Sequence, residues 1–327
     1  MGNVSIDLSL NNIIRSWWAF RRGKKPSLEI DRFEFRLIEN LSALHSDLNS
    51  GTYCHGGYRQ YIVNENKKRL VSVASIRDRV VHRLLYDFLV KIHDPVFIFD
   101  IWSCRVGKGL LGAIERAQLF LKQSPRGYVW RADIRHFFDS VNHSVLMKLI
   151  KRRVSDPRAV SLLENIIESY SFPERERVNW SSKKGIPIGN LTSQIFANIY
   201  LNELDWHAKH ILRVNKYLRY GDDFILIAED INEVECLRRI VIGFVESELL
   251  VNINPKNDII VRSNRGIHFL GVKIFPNGRI LNDRNWRRVS ERLEAKNVSS
   301  YRELVRRHGG LGDLKIFDFN LILSEFV

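Results

Sequence analysis

Hydrophobic positions along this chain switch between the 3-4 spacing of amphipathic helices and the short dense runs of strands. Residues 10–20 form a first helical pattern, closed by the basic turn Arg-Arg-Gly-Lys-Lys and Pro26. Two β-rich pieces, 58–63 and 69–73, are joined by residues 64–68, which predicts a hairpin with a basic tip. Over 77–93, apolar residues at Val80, Val81, Leu84, Leu85, Phe88 and Leu89 predict a helix. From Tyr128 the run Tyr-Val-Trp-Arg-Ala-Asp-Ile reads as a strand, and helices follow over about 143–153, 158–170 and 191–211. Residues 216–220 and 224–228 flank Gly221-Asp222-Asp223, giving strand, tight turn, strand. A helix over about 233–250 precedes short strands around Asn252, 258–261 and 268–275, and Asn277-Gly278 reads as a hairpin turn. The tail, 285–327, is expected to be helical and basic. No 20–50-residue period repeats, so solenoids and propellers are excluded, and the expected class is mixed α/β (α+β).

Charge narrows the function. With 51 Lys and Arg against 37 Asp and Glu, the formal net charge is +14, alongside 11% aromatic residues. Such an excess points to a polyanionic partner, because cations that neutralise phosphates release condensed counterions. Nucleic acid is favoured over a membrane surface, since no basic helix has a clean apolar face. Apolar runs fall far short of the ~20 residues that span a bilayer, and the first ten residues lack signal-peptide features. Cys54, Cys104 and Cys236 are scattered with no Cys-x-x-Cys, so neither a disulfide framework nor a thiolate zinc site is indicated, and a reducing cytoplasm is expected. The histidines offer no metal pair: His136 and His143 stand apart, and His207 and His210 are expected to be packed or solvated.

Three acids at strand ends, Asp133 and the pair Asp222-Asp223, carry the most chemistry. In-line phosphoryl transfer at a 3′-hydroxyl uses two divalent ions, hard cations that need only a few carboxylates from the protein. By itself Gly221-Asp222-Asp223 is also accounted for by a plain hairpin turn. The ordered set of motifs changes this. Residues 131–139, Arg-Ala-Asp-Ile-Arg-His-Phe-Phe-Asp, resemble the first palm motif of reverse transcriptases, and Tyr220-Gly221-Asp222-Asp223 is similar to that family's Tyr-x-Asp-Asp box. Between them, Gly-Ile-Pro-Ile-Gly-Asn-Leu-Thr-Ser-Gln, 185–194, resembles its template and nucleotide-pocket motif. Lys256 after Asn254-Pro255 resembles the palm lysine, and Phe269-Leu270-Gly271 the primer-grip hairpin.

The resemblance runs over about 58–275 and implies a right-hand polymerase with fingers, palm and short helical thumb. It implies residues 1–50 as an N-terminal helical extension, 51–132 as fingers, 133–279 as palm with an inserted fingers segment at about 155–187, and 280–327 as thumb. Asp133, Asp222 and Asp223, with the Ile134 carbonyl, would bind Mg²⁺, with Mn²⁺ as a substitute. Phe138 would exclude a ribose 2′-hydroxyl, although Phe137 or Phe138 is expected in the core because adjacent strand residues face opposite ways. Arg69 would reach the incoming triphosphate, beside a nucleotide pocket of Ile188, Gly189 and Gln194. Lys256 would protonate pyrophosphate or be a surface lysine. Arg105 and Lys108, in a glycine-containing stretch, would approach the template or form an ordinary surface loop; Tyr220, Phe269, Leu270 and Gly271 complete the nucleic-acid contacts.

Many reverse transcriptases carry Gln before the pocket glycine and Pro after the serine, where this chain has Ile188 and Gln194. Ile-Gly-x-x-x-Ser-Gln resembles the branch of diversity-generating retroelements, which implies error-prone copying of a template RNA into cDNA from dNTPs and a basic accessory oligomer as partner. Similar motifs occur in reverse transcriptases of phage-defence systems. A nucleic-acid-binding protein with an inactive polymerase fold, and another two-metal nucleotidyl transferase or nuclease, are the rival classes. Only 272–327 follows the primer grip, so no ribonuclease H, endonuclease or maturase domain is expected.

Overall fold

Stretches of residues buried on both faces become the central strands, and amphipathic stretches become the helices that cover them. A computed structural model describes residues 4–64, 68–170, 183–294 and 297–325. The elements in chain order are α1 (Leu10–Arg21), α2 (Leu28–Phe35), α3 (Leu37–Ser50), β1 (Tyr58–Asn64), β2 (Lys68–Ala74), α4 (Ile76–His93), α5 (Leu110–Gln123), β3 (Tyr128–Asp133), α6 (Phe137–Ser140), α7 (His143–Lys151) and α8 (Pro157–Glu168). They continue as α9 (Leu191–Trp206), β4 (Lys216–Tyr220), β5 (Asp223–Ala228), α10 (Ile231–Ser247), β6 (Ile259–Arg262), β7 (Ile267–Phe269), β8 (Val272–Phe275), β9 (Gly278–Leu281), α11 (Asp283–Glu291), α12 (Val298–His308) and α13 (Leu311–Glu325). The basic tip of the first hairpin, 65–67, and residues 171–182 of the expected inserted segment lie outside the described residues.

The chain divides into two units, each discontinuous in sequence. The first comprises Met1–Ile98, Ile134–Asp205 and Phe244–Asn252. Several of its helices start on side-chain caps: Ser9 accepts from Asn12 N–H, Ser75 from Asp78, Asn142 from Val145, and Asp156 precedes Pro157 at the first position of α8. Gly51, at φ +75°, ends α3 in the left-handed conformation. β1 and β2 pair antiparallel with Tyr58 opposite Ala74 and Asn64 opposite Lys68. α9 is buried almost all round, from Thr192 to Leu201, which its apolar run with small polar residues permits.

The second unit comprises Phe99–Asp133, Trp206–Gly243 and Ile253–Val327. Its four-stranded antiparallel sheet has the order β4-β5-β3-β6. Val129, Trp130 and Ala132 on β3 and Phe224, Ile225 and Leu226 on β5 are fully buried. The Trp130 indole N–H donates to Asp258 Oδ1 at 2.8 Å, and the Arg238 Nε–H donates to the same oxygen at 2.7 Å, so the polar tip of this buried ring is paired. A smaller three-stranded sheet, β7-β8-β9, packs with α5 and residues of α11, α12 and α13 into one apolar cluster.

Several expectations shift in detail. The β8–β9 hairpin turns on Pro276-Asn277, not Asn277-Gly278, because Phe275 pairs with Gly278. Pro276 holds φ near −65°, which excludes the mirror-image turn that Asn-Gly favours. The expected 191–211 helix is α-helical to Trp206 and ends in a π-wound turn over His207–Ile211. Around Asn252 the expected strand is reduced to a single bridge residue, Ile253, and Arg135 N–H donates to Asn252 O at 2.8 Å. Phe137 is indeed buried and Phe138 half-buried, but they lie on the one-turn helix α6 rather than on a strand.

Candidate active site

Antiparallel pairing of β3 with β5 places Asp133 directly opposite Asp223. Tyr220 pairs with Asp223, so Gly221-Asp222 is a two-residue hairpin loop, with Gly221 at φ +65°. Nothing lies within 4 Å of the Cβ an alanine would add at Gly221, so the backbone conformation, not space, calls for glycine there. Two carboxylates opposed across strands repel one another, and the second unit supplies neutralising partners. Arg131, diagonal to Asp223, forks onto it with Nε–Oδ1 at 3.1 Å and Nη2–Oδ2 at 3.3 Å. Asp133 Oδ2 accepts from Asn257 Nδ2 at 2.7 Å and from Asn254 Nδ2 at 3.5 Å, while Asn254 N–H donates to the Asp133 carbonyl at 2.9 Å. Asp133 Oδ1 is buried with no hydrogen-bond partner.

An orphaned buried carboxylate oxygen beside a second carboxylate suits a hard divalent cation. Among the described residues no three acidic, histidine or cysteine side chains are gathered around one point as they stand. Asp133 and Asp223 are the pair that the register brings together, and Asp222 sits in the adjoining turn. Ile134, whose carbonyl was the fourth expected donor, has a buried side chain.

In the first unit, the strand of Arg69 and the pocket loop are joined. Ser72 N–H donates to Ile188 O at 2.9 Å, and Asn190 Nδ2 donates to Ser72 O at 3.2 Å. Gly189, at φ +111°, lies so close to β2 that a Cβ would meet Val71 Cγ1 at 2.7 Å. Ser193, buried at the start of α9, donates to Pro187 O at 2.6 Å and closes the loop on its helix. Arg69, Gly189 and Gln194 are exposed, and Ile188 is half-buried.

Other expected residues fall as follows. Lys256 is exposed, and its N–H donates to Asn254 Oδ1 at 3.2 Å. Lys108 holds its ammonium 3.2 Å from the Phe99 ring centroid and 4.2 Å from that of Trp102, so part of its charge is spent on aromatic faces. Arg105 Nη1 reaches Ile101 O at 3.5 Å. Burial pushes the half-buried Tyr220 phenol up. Phe269 is buried, and Leu270 and Gly271 form the two-residue β7–β8 loop at φ +51° and +87°, held by Asn285 Nδ2 donating to Gly271 O at 2.7 Å. Arg131, Asn257, Ser103 and Arg219 are additional site neighbours that the motif reading does not single out. Arg131 could have been found, since it shares a strand face with Asp133 two residues on; Asn257 and Ser103 carry no local signal.

A four-stranded antiparallel sheet presenting acids at one strand end and in the adjoining hairpin turn belongs to the palm of right-hand polymerases. A telomerase from Candida albicans, solved in complex with a fragment of telomeric RNA, shares the fold at a TM-score of 0.50 with 14% identity, covering 78% of this chain and 54% of that one. Residues 61–274 match the family model described as reverse transcriptase (RNA-dependent DNA polymerase), and the chain belongs to that family. It is therefore an RNA-directed DNA polymerase by class. Protein YkfC of Escherichia coli K12 is 28% identical over 276 residues, 73% of this chain and 72% of its own length. The group II intron-encoded protein LtrA of Lactococcus lactis subsp. cremoris is 22% identical over 306 residues, and this chain spans half of its length. No described helix is long and apolar enough to cross a membrane.

Proposed function

We propose that this chain copies an RNA template into cDNA by adding dNTPs to a primer 3′-hydroxyl at Asp133, Asp222 and Asp223. The observation that carries this reading is Asp133 opposite Asp223, with Asp133 Oδ1 buried and unpartnered. Those three carboxylates and the Ile134 carbonyl would hold Mg²⁺ or Mn²⁺, which when bound activates the primer hydroxyl and neutralises charge on the triphosphate. Asn257 holds Asp133 so that Oδ1 stays open. Arg69 binds the triphosphate, Lys256 gives a proton to departing pyrophosphate, and Phe138 excludes the 2′-hydroxyl. Arg105, Lys108, Tyr220 and the 269–271 turn contact template and primer. In this reading fingers, palm and thumb follow at 51–132, 133–279 and 280–327.

The subclass proposed is the error-prone enzyme of a diversity-generating retroelement, cytoplasmic and working with a basic accessory oligomer. Its support is Ile188-Gly189-x-x-x-Ser193-Gln194. Ile188, half-buried in the loop and bonded to Ser72 through its own carbonyl, offers no side-chain hydrogen bond with which to sense base or sugar position.

The test is primer extension on RNA with sequencing of the product. Asp133→Asn and Asp222→Asn are expected to lower cDNA synthesis by about two orders of magnitude or more, while RNA binding stays within about twofold because phosphate contacts supply it. Asn variants that extend at the parent rate would remove these acids from the chemistry. Product errors that do not concentrate opposite template adenines would remove the subclass and leave the polymerase.

A further inference from the structure

The loop that carries Asp222 is held from both sides by side chains that no motif of the family reading includes. Gly221 N–H donates to Ser103 Oγ at 2.8 Å, and Gly221 O accepts from Arg219 Nη1 at 2.8 Å. Both holding groups are secluded: Ser103 is 6% exposed and Arg219 0%. Ser103 belongs to a segment bonded along β4, where Arg219 N–H donates to Asp100 O at 3.0 Å and Trp102 N–H donates to Arg219 O at 2.9 Å. That segment is anchored in turn by Arg116, which forks onto Asp100 at 2.8 and 3.0 Å. Cys104, directly after Ser103, sits at φ +55°, a strained setting for a side-chain-bearing residue that persists only where its surroundings enforce it. Arg105 and Lys108, the expected template contacts, follow within five residues of Ser103.

We infer that Ser103 and Arg219 are positioning residues that fix the Gly221-Asp222 turn, and that the segment carrying Arg105 and Lys108 sets the placement of the Asp222 carboxylate through Ser103. The inference rests on the proposed role of Asp222 as a metal ligand. A two-residue hairpin loop has both central residues off the strand ladder, so its orientation is free to rock unless side chains hold its peptide groups. Here one N–H and one carbonyl of the same glycine are held, by groups from two different segments. Removing the Ser103 acceptor lets the turn sample other orientations, so cation binding weakens, while nucleic-acid binding does not, because Arg105, Lys108 and the other cationic contacts keep their charge.

The experiment compares the full chain with Ser103→Ala, Ser103→Cys and Ser103→Thr. Two curves are measured: the Mg²⁺ concentration for half-maximal single-nucleotide extension on an RNA template, and Mn²⁺ binding by electron paramagnetic resonance with a dideoxy-terminated primer and dNTP. Ser103→Ala and Ser103→Cys are expected to move both curves to about fivefold higher cation, the cost of one lost hydrogen bond. Ser103→Thr, which keeps the hydroxyl, is expected to restore them, and primer–template affinity stays within about twofold in all three. A serine that matters only for folding would lower the active fraction without moving either midpoint, and that result overturns the inference. Ser103→Cys preserves the side-chain volume, so it serves if the alanine variant is unstable. Parent activity with unmoved midpoints refutes the clamp alone; a parent that extends no primer on RNA refutes the proposed reaction and the clamp with it.

Discussion

Phe138 stands on a single helical turn whose preceding residue, Phe137, is 2% exposed and packs edge-on to it with ring centroids 5.5 Å apart. The buried ring anchors α6, and the half-buried one keeps part of its surface exposed. His136, just before, is at φ +47°, so the chain reverses direction there and presents consecutive side chains differently from a strand. Phe138→Ala is accordingly expected to relax sugar discrimination at little cost to the fold. Incorporation of ribonucleotides relative to deoxyribonucleotides, measured on one template, should rise about tenfold or more, as removing a steric block of ~1.4 kcal/mol would give. An unchanged ratio together with a large drop in stability would assign Phe138 to packing. At the same scale, Asp133 shows how neighbours divide the duties of one carboxylate: Asn257 occupies Oδ2, and Oδ1 remains open.

Among the elements, the β1–β2 hairpin depends on a contact that begins after α8. Its strand β2 is bonded to residues 188–190, and the close approach exists because Gly189 has no Cβ. Gly189→Ala would introduce both a clash with Val71 Cγ1 and a φ that alanine rarely adopts. The expected cost is about 1–3 kcal/mol, concentrated at the hairpin. Hydrogen exchange should report it as faster exchange of the Ser72 amide, whose partner is Ile188 O. Adding Val71→Ala should recover only part of the loss, since it relieves the clash and leaves the φ strain. Full recovery would show that sterics alone set this position.

For the molecule as a whole, stability should depend on pH through buried histidines of the first unit. His55 Nδ1 lies 2.5 Å from Gly56 O, which can only accept, so His55 carries its proton there and its Nε2 accepts from His82 Nε2 at 3.0 Å. His82 Nδ1 is then a bare, buried nitrogen without a partner. Burial, reinforced by the neighbouring His55, lowers the His82 pKa to about 3, and burial with the nearby Arg153 lowers His93 to about 4. Both are depressed below the unfolded value, so the unfolded chain binds more protons as pH falls. The stability they contribute is complete above about pH 6.5 and is lost as pH drops toward 3–4, at about 1.4 kcal/mol per pH unit for each group. Urea midpoints of the first unit, followed by exchange of α4 amides at pH 7, 6 and 5, should fall accordingly. Most carboxylates stay ionised in that interval, which isolates the histidines. A flat profile would mean that the His55–His82 pair opens to solvent before the unit unfolds.

Local periodicity by itself determined where the helices and the hairpin strands run, because burial on one face or on both leaves its spacing in the amino-acid order. The order of the short motifs determined the family, since Asp133, the 185–194 loop and Asp222-Asp223 each carry a local signature. Register and long-range pairing were decided only by the tertiary structure. Pro276-Asn277 became the turn because Phe275 pairs with Gly278, and α6 became helical although its neighbourhood reads as strand. Asn257 reaches Asp133 across 124 residues, and Ser103 reaches Gly221 across 118. Such partners leave no trace in local sequence, because a hydrogen bond between distant segments depends on how whole elements pack, and an asparagine or serine in a loop reads the same whether it faces water or a buried carboxylate.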